Sequence, residues 1–221
     1  MRFLLFFICL TGLFAKPSLS LLEQAISKAY TRFYAKYPFK IQAIKVELAS
    51  GNMLMLDQIL KVASPEDLQW RTQQFLNKEG VLSLDQKIWI KYSLNASIGI
   101  YKSKTMLRKD QNLDASNTYS ENIPFTHFNT LPIDASYINN SSARSFIAPH
   151  TILSIDRVGP KILIYKHEIF SATFKEGPLF LETSLQALEN GVLNQVIQAL
   201  NVRSKKVVQV RITGLLKGEV L

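Results

Sequence analysis

His127, His150 and His167 are the chain's three histidines. None has a second histidine or a carboxylate at metal-ligand spacing, so the sequence assigns no metal site. The single cysteine, Cys9, lies in an apolar run near the start. The HExxH, GxSxG, P-loop and GxGxxG patterns are absent, which leaves no recognisable catalytic residue or cofactor cradle. Glu66-Asp67 has the composition of an acid–base pair, but carboxylates in the first turn of a helix serve its positive end without further purpose. What remains is contact chemistry. Arg203, Lys205, Lys206 and Arg211 form a cationic cluster suited to an acidic partner surface. The plainer role for the cluster is a charged hairpin tip that keeps a strand edge from aggregating.

The elements that would position these residues follow from periodicity. Ser20 with Glu23 reads as a capping box. Leu22, Ile26, Ala29, Tyr30, Phe33 and Tyr34 then recur at helical spacing until Pro38. Ile44, Val46 and Leu48 alternate with charged residues, and Ser50-Gly51-Asn52 predicts a hairpin into Met53-Leu54-Met55-Leu56. Ser64 as N-cap, Pro65, Glu66, Asp67 and a stop at Gly80 predict a second helix. Unbroken alternation from Ile88 to Ile100 predicts one long strand with one buried face. The N-terminal third, 16–102, is therefore expected to be an α+β domain. From Asp110 to Ala143 there is no Lys or Arg, while six Asn and five Ser surround Pro124 and Pro132. That segment reads as long loops, either a binding segment or a solvated connector. Beyond Arg144, short strands separated by Gly159-Pro160, Gly177-Pro178, Gly191 and Gly214 predict a small barrel or sandwich.

Length, charge and compartment bound the function. At 221 residues with 47% hydrophobic and 19% charged side chains, the chain has enough apolar material for one large or two small domains. Met1-Arg2 followed by the run Phe3 to Phe14 and by Ala15 has the layout of a secretory signal peptide, residues 1–15. A bilayer-crossing helix needs about 20 apolar residues. An uncleaved anchor is the alternative, because Leu13 stands where a small residue is commoner. Cleavage would leave a secreted chain without cysteine, hence with no disulfide, thiolate metal site or thiol nucleophile. Export also turns the net charge of +9 away from nucleic acid and towards an extracytoplasmic partner.

Ala187-Leu188-Glu189-Asn190-Gly191, Val196-Ile197, Asn201, Ser204-Lys205-Lys206-Val207-Val208, Val210 and Gly218-Glu219-Val220-Leu221 resemble the end of the flagellar basal-body P-ring formation protein family, the FlgA family. Leu107 to Leu113 and Ile147 to Leu153 resemble its two I-x-x-G-x-x-I elements, and Ile164 to Ile169 its V-x-x-G-x-V strand. The resemblance implies a mainly-β SAF-type β-clip domain over 103–221, with the Asn/Ser-rich region 110–143 inside it. It further implies a periplasmic chaperone, not an enzyme, that holds P-ring subunits by sheet-edge pairing and apolar contact, with no cofactor and no nucleic acid. Tyr119, Phe125 and Phe128 join the cationic cluster as candidate partner contacts. Asp110, His150, His167 and Asn194 stand where the family pattern has glycine. All are residue types that tolerate a left-handed backbone, so they and Gly191 are read as structural turns. Rival readings are a β-clip protein of another envelope assembly such as a pilus, a secreted carbohydrate-binding module and, least supported, a secreted hydrolase.

Overall fold

The computed structural model describes residues 17–60, 64, 67–177 and 179–221. The signal-peptide reading, Pro65 and Glu66 lie outside them. The described chain is mainly β with few helices, and it divides into two compact units. One unit takes 17–35, 39–97 and 124–127; the other takes 36–38, 98–123 and 128–221.

In the first unit, α1 (Pro17–Phe33) buries Leu22, Ile26 and Tyr30 completely, a stripe at spacing four that packs one helix face. The helix begins at Pro17, so Ser20 lies inside its first turn and is not its cap. Strand β1 (Phe39–Ser50) is followed by α2 (Met53–Ile59), where the sequence predicted the second arm of a hairpin. The Asn52 side chain accepts from the Met55 amide at 2.8 Å, and unbranched Met and Leu continue a helix readily. The helix expected from Ser64 to Gly80 does not form. Its start is present, since the Ser64 amide donates to the Asp67 carboxylate at 2.9 Å. Among the described residues that follow, the longest helical piece before β2 (Glu79–Leu84) is a short 3-10 turn, Thr72–Leu76. Partners distant in sequence outcompete these local helix signals: Gln69 bridges Ser83, and Asn77 bridges His127. Gly80 is needed for close approach and does not stop a helix. It lies opposite Tyr92 in the antiparallel pair of β2 with β3 (Ile88–Ser103), and a Cβ there would meet the Tyr92 hydroxyl at 2.8 Å. The sheet order is β1-β3-β2.

The second unit has two apolar cores. One belongs to a ribbon in which 101–124 and 141–164 repeat the same backbone pattern at an offset of 40 residues. Leu107 and Ile147 exchange both backbone hydrogen bonds at 2.9 Å. The pairs on either side are interchanged by the same offset. The Asp110 amide donates to Ala143 at 2.7 Å as the His150 amide does to Ser103 at 2.8 Å, and Leu113 donates to Ser141 as Leu153 does to Tyr101, both at 2.9 Å. The ribbon is thus folded about an internal pseudo-twofold axis through Leu107 and Ile147. Its side chains Leu107, Leu113, Ile133, Ala143, Ile147, Leu153 and Val158 form one core. The segment expected to be long loops is therefore built into the structure. It carries β4 (Thr118–Pro124), which pairs with β3, then a 3-10 turn at Ala135–Tyr137, and β5 (Ser141–Ala143), which pairs with β6 (Val158–Pro160).

Between the turn signals at Gly159-Pro160 and Gly177-Pro178 the chain forms two strands, β7 (Ile162–Ile164) and β8 (Ile169–Glu176), separated by the left-handed turn at His167. Strand β8, β9 (Leu179–Ala187), β11 (Val196–Asn201), β12 (Val207–Gly214) and β13 (Lys217–Val220) close a five-stranded barrel in the order β11-β12-β13-β8-β9. The short β10 (Gly191–Val192) pairs with β7. The barrel core is Phe170, Ala172, Leu185, Ala187, Ile197, Ala199, Val210 and Ile212, with Ile164.

Asp110, His150, His167 and Asn194 have φ of 63°, 59°, 74° and 65°. Gly191 has no positive φ; it is small because a Cβ would meet Ile212 at 2.9 Å. Leu216 also has a left-handed φ, 53°, and lacks the short polar side chain that eases this conformation. Replacing His150, Asn194 or Leu216 by glycine is expected to be neutral or to stabilise by up to about 1 kcal/mol, with Leu216→Gly gaining most. Urea melts check this. A loss above about 2 kcal/mol at His150 or Asn194 would assign their side chains another role.

Candidate functional site

The cationic cluster separates in three dimensions. Arg203, Lys205 and Lys206 sit together, all exposed, on the turn between β11 and β12. Asn201 builds that turn, its side-chain oxygen accepting from the amides of Arg203 at 3.0 Å and Ser204 at 3.1 Å. Lys205 takes the left-handed position with φ 58°. Arg211 lies down the strand, paired in register with Val196 and Glu219. The strand places it roughly 13 Å from Val207, at about 3.3 Å per residue. The tip thus presents three cations, and the fourth faces an acidic neighbour.

The aromatic candidates also divide. Tyr119 is half-buried, and its hydroxyl lies 3.2 Å from His150 Nδ1 with the rings edge-on. Phe125 and Phe128 are only 2% and 7% exposed, so neither is available to a partner of the folded protein. Phe125 instead packs edge-on against Tyr30, Tyr34 and Phe39. Its neighbours come from distant segments, which is why a loop-like local sequence concealed a core residue.

The histidines stay apart. His127 Nδ1 is 2.6 Å from the Asn77 side-chain oxygen, and the His167 carbonyl accepts from Gln186 at 3.2 Å. Among the described residues no group of three His, Cys, Asp or Glu side chains is placed to hold a metal. Asp110 is half-buried, its carboxylate accepting from Asn190 at 3.0 Å and its carbonyl from Tyr165 at 3.2 Å, so it ties the ribbon to the barrel segments. Burial raises the Tyr165 hydroxyl above its ordinary pKa. Asp114 is held below the usual carboxylate range, first by the Ser116 hydroxyl at 2.5 Å and then by the Ser116 and Asn117 amides. These groups order turns. Sequence reasoning missed the exposed apolar residues of the barrel, among them Ile169, Leu193 and the Leu215-Leu216 tip between β12 and β13. A leucine pair at a two-residue turn was the available signal, since such turns ordinarily take Asn, Asp or Gly.

The class so defined is a mainly β protein whose candidate residues lie on exposed turns and strand faces. The chain belongs to the family described as chaperone for flagella basal body P-ring formation, whose model matches residues 99–220, and the expectation drawn from its C-terminal motifs is borne out. It is a chaperone of flagellar P-ring formation. Its fold is similar to that of Salmonella FlgA in open form, with a TM-score of 0.59 and 11% identity, over 90% of this chain and 92% of that one. It is also similar to the flagellar protein FlgA from Thermotoga maritima MSB8, with a TM-score of 0.50 and 16% identity, over 91% of this chain and 72% of that one. Comparison with curated protein sequences gives no match. Work on the P-ring implies a periplasmic location. No helix among the described residues is long and apolar enough to cross a membrane.

Proposed function

We propose that the chain, freed of residues 1–15 on export, holds P-ring subunits in the periplasm and releases them into the growing ring, with no catalytic step. In this reading it has an α+β N-terminal domain over 16–102 and a SAF-type β-clip over 103–221. The observation that carries the reading is the family match over 99–220, which spans the pseudo-twofold ribbon and the barrel. An assembly chaperone acts by a difference of affinities: it binds the unassembled subunit better than the finished ring. A closed barrel has no free edge of its own, so on the barrel exposed turns and apolar side chains supply the contact, while β1 and β2 remain the outer strands of an open sheet. The three cations of the β11–β12 tip suit an acidic patch on the subunit, and Tyr119 is a further contact.

Purified ring subunit should bind the chain. Reversing the tip charges (R203E/K205E/K206E) should slow association about tenfold and flatten its salt dependence, while His127→Ala changes little. A strain lacking the chain should lose motility and P-rings. Normal rings in that strain, or an intact mass that retains residues 1–15 in the periplasmic protein, would overturn the corresponding part of the reading.

A further inference from the structure

The ribbon is symmetric in backbone but not in charge. Leu107 and Ile147 form the bridge at its axis and are fully buried. Their neighbours Met106 and Phe146, related by the same 40-residue offset, lie on the outward side, 44% and 60% exposed. The antiparallel bridge sets Phe146 opposite Arg108, with Cβ atoms about 5 Å apart. The offset carries Arg108 to Ala148 and Lys109 to Pro149, so these cations have uncharged counterparts in the other half. It carries Lys104 to Arg144, and the antiparallel pairing sends these two to opposite ends. The Asp110 amide donates to Ala143, which brings Arg144 to the Lys109 end, whereas the His150 amide donates to Ser103, which keeps Lys104 at the far end. Arg108, Lys109 and Arg144, all exposed, therefore gather at one end of the apolar pair. Arg144 Nε donates to the Val158 carbonyl at 2.5 Å, which fixes its guanidinium, and the Asp110 carboxylate is directed to Asn190 at 3.0 Å. A groove of about 570 Å³ opens at this end, lined by Met106, Arg108, Lys109, Gln111 and Tyr165.

We infer that this face of the ribbon seats an acidic segment of the P-ring subunit in one direction, with an apolar side chain against Met106 and Phe146 and carboxylates at the end of Arg108, Lys109 and Arg144. The inference rests on the chaperone reading above and adds to it the place and polarity of contact. Charge complementarity selects the occupant, because carboxylates beside guanidinium and ammonium groups form charge-assisted hydrogen bonds. A second copy of this chain docked on the same face would set these cations against their own kind. Leu107 and Ile147 already exchange both backbone bonds, so recognition here falls to side chains. A twofold backbone would accept a segment equally in either direction. The charges break that equivalence.

The test uses the full protein and purified ring subunit. With p-benzoylphenylalanine placed at Phe146, light should cross-link the chain to a subunit peptide that carries Asp or Glu within about four residues of the linked position, roughly 13 Å of extended chain. Arg108→Glu and Phe146→Ser should each weaken subunit binding about fivefold or more, and Lys104→Glu less than about twofold. All three side chains are exposed, so the thermal midpoint should be retained. Equal losses at Arg108 and Lys104 overturn the polarity. Cross-links to a second copy, or to a subunit peptide without a carboxylate, overturn the assigned occupant. Undiminished binding by both Arg108→Glu and Phe146→Ser overturns the inference and leaves the chaperone reading intact. A wild-type protein without affinity for the subunit overturns both.

Discussion

Tyr30→Ala is expected to destabilise the first unit by roughly 3–5 kcal/mol, the range for removing a large buried aromatic side chain. Tyr30 has no exposed surface, and its ring contacts those of Tyr34, Phe39, Trp70, Phe75, Tyr92 and Phe125. Its hydroxyl lies 2.9 Å from the Gln74 carbonyl, 2.7 Å from that of Asn77 and 2.9 Å from the Tyr92 hydroxyl. Tyr30→Phe keeps the packing and removes this network, at about 1–3 kcal/mol. The two variants separate ring from hydroxyl, and denaturant melts followed by near-ultraviolet dichroism measure both. The pH dependence carries the same signature. Burial, then Tyr92, pushes the Tyr30 hydroxyl far above the ordinary tyrosine range, and burial raises Tyr92 as well. A raised pKa on folding means that the folded state binds more protons at high pH. The stability it contributes is complete below the unfolded-state value of about 10 and is lost as pH climbs beyond it. The slope should reach about 1.4 kcal/mol per pH unit for each buried tyrosine, and Tyr30→Phe should remove one such increment. An alkaline limb unchanged by Tyr30→Phe would show that this hydroxyl is not the group responsible.

The second large effect lies at the ribbon's pseudo-axis. Leu107 and Ile147 are fully buried in one core and pair directly across the ribbon. Each change to alanine should cost about 2–5 kcal/mol. The double variant should lose less than the sum, by about 0.5–3 kcal/mol, because the second truncation enlarges an existing cavity. Additive losses would mean that the two side chains do not share one packing environment.

Parts of the fold were legible because local pattern and tertiary burial agree. Leu22, Ile26 and Tyr30 mark α1, and the alternation from Ile88 to Ile100 marks β3, whose buried and less-buried residues alternate in the same phase. Sequence reading failed where the decisive partner is remote. The run Met53 to Leu56 is apolar throughout and carries no period, so Asn52 as a cap decided for helix. The segment after Ser64 had helix signals at its start, but Gln69 and Asn77 found partners in Ser83 and His127. Phe125 and Phe128 looked like loop aromatics because the groups that bury Phe125 lie on α1 and β1. Of the contact residues, Arg203, Lys205 and Lys206 were legible as a charged tip.

The 40-residue offset that interchanges the ribbon's hydrogen bonds bears on ancestry and on assembly from pieces. An interface in which residue i meets j while j's counterpart meets i's is isologous, the arrangement of a symmetric dimer. Here both copies lie on one polypeptide, so the ribbon has the form of a dimer interface made internal by fusion. Its halves are complementary in backbone, while their side chains differ at positions such as Asp110 and His150, which share the left-handed turn. A chain cut between the halves would therefore keep, in each fragment, the surface that recognises the other.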